Sequence, residues 1–315
     1  MIWIVGALAL AAVLALLALQ YAIGRNGPAV LSAVDRLTGG TRGTALVNIH
    51  QFGSHAAQKL LVYASSRSDG PPKPVIIFAH GGSWRSGDPE DYGFIARALV
   101  PEGFVVVLAG YRLGDDSIFP AIVQDTASVT AWTAANIERY GGNPDAIYLS
   151  GHSAGAYNVV MTALDRQWLD RARLGDNAVK GVIGLSGPYD FFPFDSDSTQ
   201  RTFGSTADAA TVTQPVAHVR RDAPPMLLMT GEKDTTVRPR NTRILAQKLA
   251  GVGASVQTRF FPDMDHISIL TAIASPWRRD PAIVAAISNF VRQTENTRAA
   301  QMAAEISGPV QTVAP

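Results

Sequence analysis

A chain of 315 residues, 47% hydrophobic and 17% charged, is long enough for one large α/β core or two small domains. Its formal net charge of +1 and its scattered Lys and Arg exclude a concentrated basic surface, so no nucleic-acid partner is expected. The absence of cysteine excludes disulfides, thiolate nucleophiles and cysteine metal sites.

Ile2 to Leu19 is an unbroken run of apolar residues and glycine, followed by Gln20 and Tyr21. About 20 helical residues cross a bilayer, so residues 1–23 are expected to form a transmembrane helix that anchors the chain in a membrane. No Lys or Arg precedes the run and no small-x-small site closes it, which favours an uncleaved anchor over a signal peptide. Export after signal cleavage is the alternative. Arg25, Arg36 and Arg42 follow the span and weakly favour a cytoplasmic location for that side, which stays open. Residues 24–43, marked by Gly and Pro, read as a linker with one short helix at Ala29 to Leu37.

Thr44 to Phe52 and Gln58 to Ala64 alternate partially between apolar and polar residues and predict a leading antiparallel pair. Short, continuously apolar runs follow at Pro74 to Ala79, Phe104 to Ala109, Ala146 to Ser150, Val179 to Leu185, Pro225 to Thr230 and Val256 to Phe261. Such runs predict strands covered on both faces. Between them lie helical patterns at Glu90 to Pro101, Ala121 to Tyr140, Ala154 to Trp168 and Arg240 to Leu249, with Ile267 to Ala274 and Pro281 to Arg292 closing the series. The alternation predicts a three-layer α/β sandwich: a mostly parallel sheet of about eight strands, with helices on both faces, in one domain spanning 44–294. Residues 191–223 read as a small pocket-lining insertion with two short helices, and 295–315 as a disordered polar tail.

Tyr148 to Ala156 reads Y-L-S-G-H-S-A-G-A, an apolar run ending in Gly-x-Ser-x-Gly. That is the sequence form of a nucleophile elbow, in which the chain leaves a strand, turns sharply at serine and enters a helix. Ser153 is expected in a strained conformation, with Gly151 and Gly155 placed where a side chain would collide. A serine nucleophile needs a base within hydrogen-bond reach and a third group to orient that base. Of six histidines, His50 and His55 sit in the leading hairpin and His80 begins a Gly-rich loop. His152, beside Ser153, points elsewhere in an elbow, and His218 falls in the insertion. His266, after the last strand, is the expected base. Asp234, just past a strand and before a helix, is preferred as the acid over Glu232, Asp190, Asp263 and Asp265.

An oxyanion hole needs backbone N–H groups, and Ala154 offers one at a helix start while Gly81 and Gly82 offer others. Trp84 and Tyr111 stand at strand ends as weak pocket candidates. Phe191, Phe192 and Phe194 either line an apolar acyl pocket or bury the insertion. No phosphate loop and no metal-ligand spacing occurs, and no cofactor is expected.

From about Leu60 to Val291 the chain resembles the α/β-hydrolase superfamily, more narrowly its hormone-sensitive-lipase and carboxylesterase-like enzymes. Within these it looks like the kynurenine-formamidase-like group. The resemblance rests on H-G-G-x-W at His80 to Trp84, Y-R-L at Tyr111 to Leu113 and G-H-S-A-G-A at Gly151 to Ala156. It extends to G-x-x-D at Gly231 to Asp234 and to Asp265-His266. It implies Ser153 as nucleophile, Asp234 as acid and His266 as base, with Gly81, Gly82 and Ala154 around the oxyanion. The implied reaction is hydrolysis of a small-molecule carboxylic ester or, in the formamidase branch, of an N-formyl amide. A non-catalytic binding module is the reading from another class, and it usually lacks one of these residues. The long helical N-terminal cap of many hormone-sensitive-lipase relatives is missing, which argues against a deep tunnel for very long acyl chains.

Overall fold

The computed structural model describes residues 2–40, 42–67, 70–175, 177–279 and 281–306. Eight strands form one sheet: β1 (Thr44–Gln51), β2 (Lys59–Ser65), β3 (Lys73–Ala79), β4 (Val105–Ala109), β5 (Gly142–His152), β6 (Val179–Leu185), β7 (Met226–Gly231) and β8 (Val256–Phe261). Their order is β1-β2-β4-β3-β5-β6-β7-β8. β1 pairs antiparallel with β2, and β2 with β4, while every later neighbour is parallel. The helices are α1 (Ile2–Leu37), α2 (Gly93–Leu99), α3 (Ala121–Asn136), α4 (Ala154–Leu164), α5 (Gln167–Arg171), α6 (Asp197–Phe203), α7 (Ala209–Val212), α8 (Arg240–Gly251), α9 (Ser268–Thr271) and α10 (Ala282–Ile306).

The apolar strands divide their side chains between two cores because successive residues point to opposite faces. On one face Val75, Ile77, Val105, Val107, Ile147 and Leu149 pack against α3, α4 and α8 through Val129, Val159, Val160, Leu245 and Leu249. On the other, Ile76, Phe78, Val106, Leu108 and Tyr148 meet α2, α9 and α10 through Phe94, Ile95, Ile269, Ile283, Ile287 and Phe290. The result is the three-layer sandwich that the alternating pattern predicts. After β3 the chain moves outward to β4, then returns to the other side of β3 as β5. The direction in which successive strands are added therefore reverses between β3 and β5, the place where open α/β sheets bind ligands beyond the strand ends.

The two termini depart from expectation. Among the described residues no helix is long and apolar enough to cross a membrane. This overturns the expected anchor at residues 2–19, and with it the membrane partner, the transmembrane assignment and the membrane-anchored location. The backbone of the apolar run belongs to α1, which continues past Gln20 and Arg25 to Leu37; the side chains of residues 2–12, 15 and 16 lie outside those described. The short helix expected at Ala29 to Leu37 is present as the end of α1, and helical backbone also covers the preceding Gly24 and Arg25. Asn26 leaves helical geometry (φ −155°, ψ 80°) and its side chain accepts from Ala29 N at 3.1 Å, capping a second helical stretch that Pro28 opens.

That second stretch docks on the domain through a buried ion network. Asp35, 0% exposed, accepts from Arg97 Nε at 2.5 Å, Ser275 N at 2.7 Å and Arg278 at 3.4 Å. At the other end, α10 continues through Glu295 to Ile306 where a disordered tail is expected, and Tyr148 donates to Glu295 at 2.6 Å. Residues 307–315, the remainder of that tail, lie outside the described residues.

Asp35→Ala leaves buried Arg97 without its carboxylate. The expected loss is about 3–5 kcal/mol, as for other buried pairs deprived of one partner, read from urea unfolding. A loss of only about 0–1 kcal/mol, typical of a surface pair, would show that the network does not hold α1 in place.

Candidate active site

β5 ends at His152, and α4 begins at Ala154, leaving Ser153 alone at the corner with φ 55° and ψ −122°. A non-glycine residue held there costs about 1–3 kcal/mol and persists only where its surroundings over-determine it. Here Ser153 N donates to Leu185 O at 2.9 Å and Ser153 O accepts from Tyr157 N at 3.1 Å, which fixes the corner to β6 and α4. The elbow also needs a close backbone crossing. A Cβ on Gly155 would overlap the carbonyl oxygens of Ala79 and His80, and one on Gly151 would overlap the Gly155 carbonyl.

The three residues expected to act together do meet. Ser153 Oγ lies 3.0 Å from His266 Nε2, and His266 Nδ1 lies 2.8 Å from Asp234 Oδ2. Asp234 is the acceptor of that second bond, which places the proton on Nδ1 and leaves Nε2 to accept from the serine hydroxyl. The other carboxylate oxygen of Asp234 accepts from Thr236 N at 3.0 Å and Val237 N at 2.8 Å. Burial pushes the Asp234 carboxyl up, but the hydrogen bond and charge of His266 and the Val237 amide outweigh it and hold the group below the usual carboxylate range.

The competing acids are engaged elsewhere. Asp190 pairs with Arg240 at 3.6 Å, Glu232 with Arg243 at 2.5 Å and Asp263 with Lys233 at 2.8 Å. Asp265 caps the turn before α9, accepting from Ile267 N and Ser268 N at 3.0 and 2.7 Å.

Gly81 and Gly82 follow β3 directly opposite the elbow, because Ala79 and Gly151 are register partners. Gly82 turns back on itself (φ +118°), and its carbonyl accepts from Arg85 N and Ser86 N at 3.0 and 3.2 Å. A Cβ there would overlap the Ser86 carbonyl, so only glycine fits. Ala154 is the first residue of α4, a position whose N–H has no acceptor within the helix.

A cleft of about 500 Å³ opens beside Ser153 and Ala154. Trp84, Phe191 and Phe192 form its apolar wall, and Thr235, Thr236, Arg238 and Asn241 belong to its polar side. Trp84 itself is buried, donates to Asn158 Oδ1 at 3.0 Å and stacks on Phe191 at 6.3 Å. Phe194 stays behind the wall, against Phe191 and Phe203. The insertion thus does both things its phenylalanines suggest. Tyr111 does not reach the cleft: it is fully buried and donates to His80 O at 2.8 Å, supporting the glycine loop from beneath. Among the described residues no group of His, Asp and Glu could hold a metal ion.

The sequence profile of the BD-FAE family matches residues 60–249. Esterase LipC of Mycobacterium tuberculosis (strain ATCC 25618 / H37Rv) is 29% identical over 221 residues, which is 65% of this chain and 55% of that protein. Kynurenine formamidase of Danio rerio is 27% identical over 224 residues, 70% of this chain and 74% of that protein. This chain spans about half the length of the mycobacterial relatives it matches. Among solved structures, esterase B from Lactobacillus Rhamnosis (HN001) superposes with a TM-score of 0.74 at 17% identity, over 92% of this chain and 97% of that one. That likeness is one of fold alone.

Two histidines of the site are not foreseen as part of it. His80 is buried between Tyr111 and Tyr92, with ring centroids 4.5 and 5.6 Å away, and its Nδ1–H donates to Gly81 O at 2.7 Å. His152 is buried against His266 and donates from Nε2 to the His266 carbonyl at 2.9 Å. Burial pushes His80 down to about 4 and His152 down to about 3. Both therefore stay neutral while their unfolded counterparts take up protons below about pH 6.5. Stability from this source is complete above that pH and falls as pH drops toward about 4, by up to about 1.4 kcal/mol per pH unit for each histidine. His80→Gln removes one such group. Urea unfolding between pH 7 and pH 4.5 is expected to show a shallower pH dependence for the variant, and identical slopes would count against the linkage.

Proposed function

We propose that this chain, which belongs to the BD-FAE family of the α/β-hydrolase superfamily, is a serine hydrolase. It cleaves carboxylic esters of small to medium acyl groups through an acyl-enzyme intermediate. The observation that carries this reading is the continuous relay from Ser153 Oγ to His266 Nε2 at 3.0 Å and from His266 Nδ1 to Asp234 at 2.8 Å. A small-molecule cleft opens at its serine end.

In the proposed reaction Ser153 attacks the ester carbonyl while His266 Nε2 takes its proton. Asp234 keeps the imidazole in the Nδ1–H tautomer and stabilises the imidazolium, without itself accepting the proton. The carbonyl oxygen becomes an oxyanion held by the amides of Gly82 and Ala154, the latter reinforced by the dipole of α4, while the Gly81 amide, expected to join them, is engaged by the Tyr92 hydroxyl instead. One such amide is worth about 3–4 kcal/mol of transition-state stabilisation. His266 then gives its proton to the departing alkoxide, which leaves as the alcohol. Water, deprotonated by the same imidazole, attacks the acyl-enzyme and releases the acid and Ser153. The apolar wall of Trp84, Phe191 and Phe192 suits the acyl chain, and the volume of about 500 Å³ suits one of modest length.

A second reading has its own support. The formamidase relative matches over 74% of its own length, a larger share than the mycobacterial esterases, and the motifs at His80 to Trp84 and Gly151 to Ala156 resemble that group. An N-formyl amide would use the same residues, with the amine as leaving group.

A fluorophosphonate probe is expected to label the wild type covalently and to leave Ser153→Ala unlabelled. Equal labelling of the two, or labelling of neither, would remove Ser153 as the nucleophile and favour a binding module. A chain-length series of acyl esters run beside N-formylkynurenine is expected to peak at short or medium chains. Faster turnover of the formyl amide than of every ester would replace the ester reading with the formamidase one.

A further inference from the structure

We infer that His152 is a positioning residue of the proposed relay: it holds the backbone that bears His266 at the distance the base needs from Ser153. The inference rests on the reading of Ser153 and His266 as nucleophile and base.

His152 is the last residue of β5, one position before the serine, so its backbone is as fixed as the sheet. Its side chain is 3% exposed, and its ring centroid lies 4.7 Å from that of His266 at an interplanar angle of 43°. Its Nε2 reaches the carbonyl of His266 at 2.9 Å. A carbonyl only accepts, so this bond fixes the Nε2–H tautomer of His152. On its other side the ring abuts the glycine loop, where a Cβ on Gly81 would stand 3.1 Å from His152 Nδ1. One imidazole is thus wedged between the loop expected to hold the oxyanion and the loop that presents the base.

The base needs that support. His266 lies in the connection from β8 to α9, outside any strand or regular helix. Asp234 orients its ring through Nδ1, and Lys233 N donates to Met264 O at 3.0 Å two residues earlier, but neither bond ties the backbone of His266 itself to the elbow. The His152 bond does, because it joins the main chain of the base to the residue beside the nucleophile. A neutral donor is also the right kind of tether. A lysine or arginine at this place would put a permanent positive charge beside the imidazolium that forms during attack, whereas burial keeps His152 uncharged, pushed down to about 3.

The test compares His152→Gln, whose amide nitrogen can reach the same carbonyl, with His152→Phe, which keeps a ring and loses the donor. His152→Asn, whose amide falls short of the carbonyl, stands in should the phenylalanine variant fail to fold. Kinetics are measured on a short acyl ester at a temperature where melting curves show each variant folded. His152→Phe and His152→Asn are expected to lower kcat by about 10- to 100-fold, the cost of misplacing a catalytic group by up to about 1 Å. KM should stay within about 2-fold, since the cleft walls are untouched, and His152→Gln should recover most of kcat. Full kcat in the phenylalanine or asparagine variant overturns the inference, as does a glutamine variant no better than they are. Fluorophosphonate labelling of the wild type separates the two levels. An unlabelled wild type fails the reading of Ser153, whereas a labelled wild type with an unimpaired His152→Phe fails the tether alone.

Discussion

The site depends on one close approach, that of the start of α4 to the end of β3. The Gly155 backbone sits so near the carbonyls of Ala79 and His80 that no side chain fits between them. This contact draws the amide end of α4 toward the loop at Gly81 and Gly82, and it leaves the chain no room to turn except at Ser153 with φ 55°. Strain at the corner and the approach of α4 to the glycine loop are therefore one geometric fact. The cost is offset because β6 holds the Ser153 amide and α4 holds its carbonyl, so the corner cannot relax without breaking the sheet.

The acid side is organised by a different economy, that of charge. A carboxylate with no exposed surface is expensive unless hydrogen bonds replace its water. Asp234 has two backbone amides on one oxygen and His266 on the other, so its ionised form is fully solvated by protein. The remaining acids near the site each have a cation or a turn to serve, which leaves Asp234 as the carboxylate directed at the imidazole. Selection among neighbouring acids is thus made by arginine and lysine placement as much as by the acid itself.

These two constraints differ in how far the sequence reveals them. Continuously apolar runs, the partial alternation of the leading pair and the glycines around Ser153 are local signals, and local signals predict the strands, their antiparallel start and the elbow. Asp234 and His266 are legible because each follows a strand in chain order. His152 is not legible, since adjacency to the serine says that its side chain leaves the elbow on another side and nothing about what arrives there. What arrives is the β8–α9 loop, more than 100 residues later. The termini fail for a related reason. The stretch from Gly24 reads as a linker around one short helix because the sequence cannot show that Asp35 finds Arg97, and the tail reads as disordered because it cannot show that Glu295 finds Tyr148. Asn26 followed by Pro28 is the helix-start signal of the stretch expected from Ala29 to Leu37.

The cleft wall shows the same principle acting on specificity. Phe191 is buried on one side by Tyr157 and Phe203 and exposed to the cleft on the other, and its amide donates to Gln214 Oε1 at 2.8 Å. Asn241, at the start of α8, accepts from the amides of Tyr189 and Asp190 at 2.9 Å each, which fixes the polar side to the loop after β6. Both walls are therefore held by hydrogen bonds to main chain rather than by side-chain contact alone. A cleft built this way has little freedom to widen, because widening would strand buried amides whose loss costs more than an apolar contact returns. Its shape is set by the insertion and by α8 rather than by the elbow, so in the proposed reaction discrimination between acyl groups falls to the lining residues Phe191, Phe192, Thr235, Thr236, Arg238 and Asn241 rather than to the serine, base and acid.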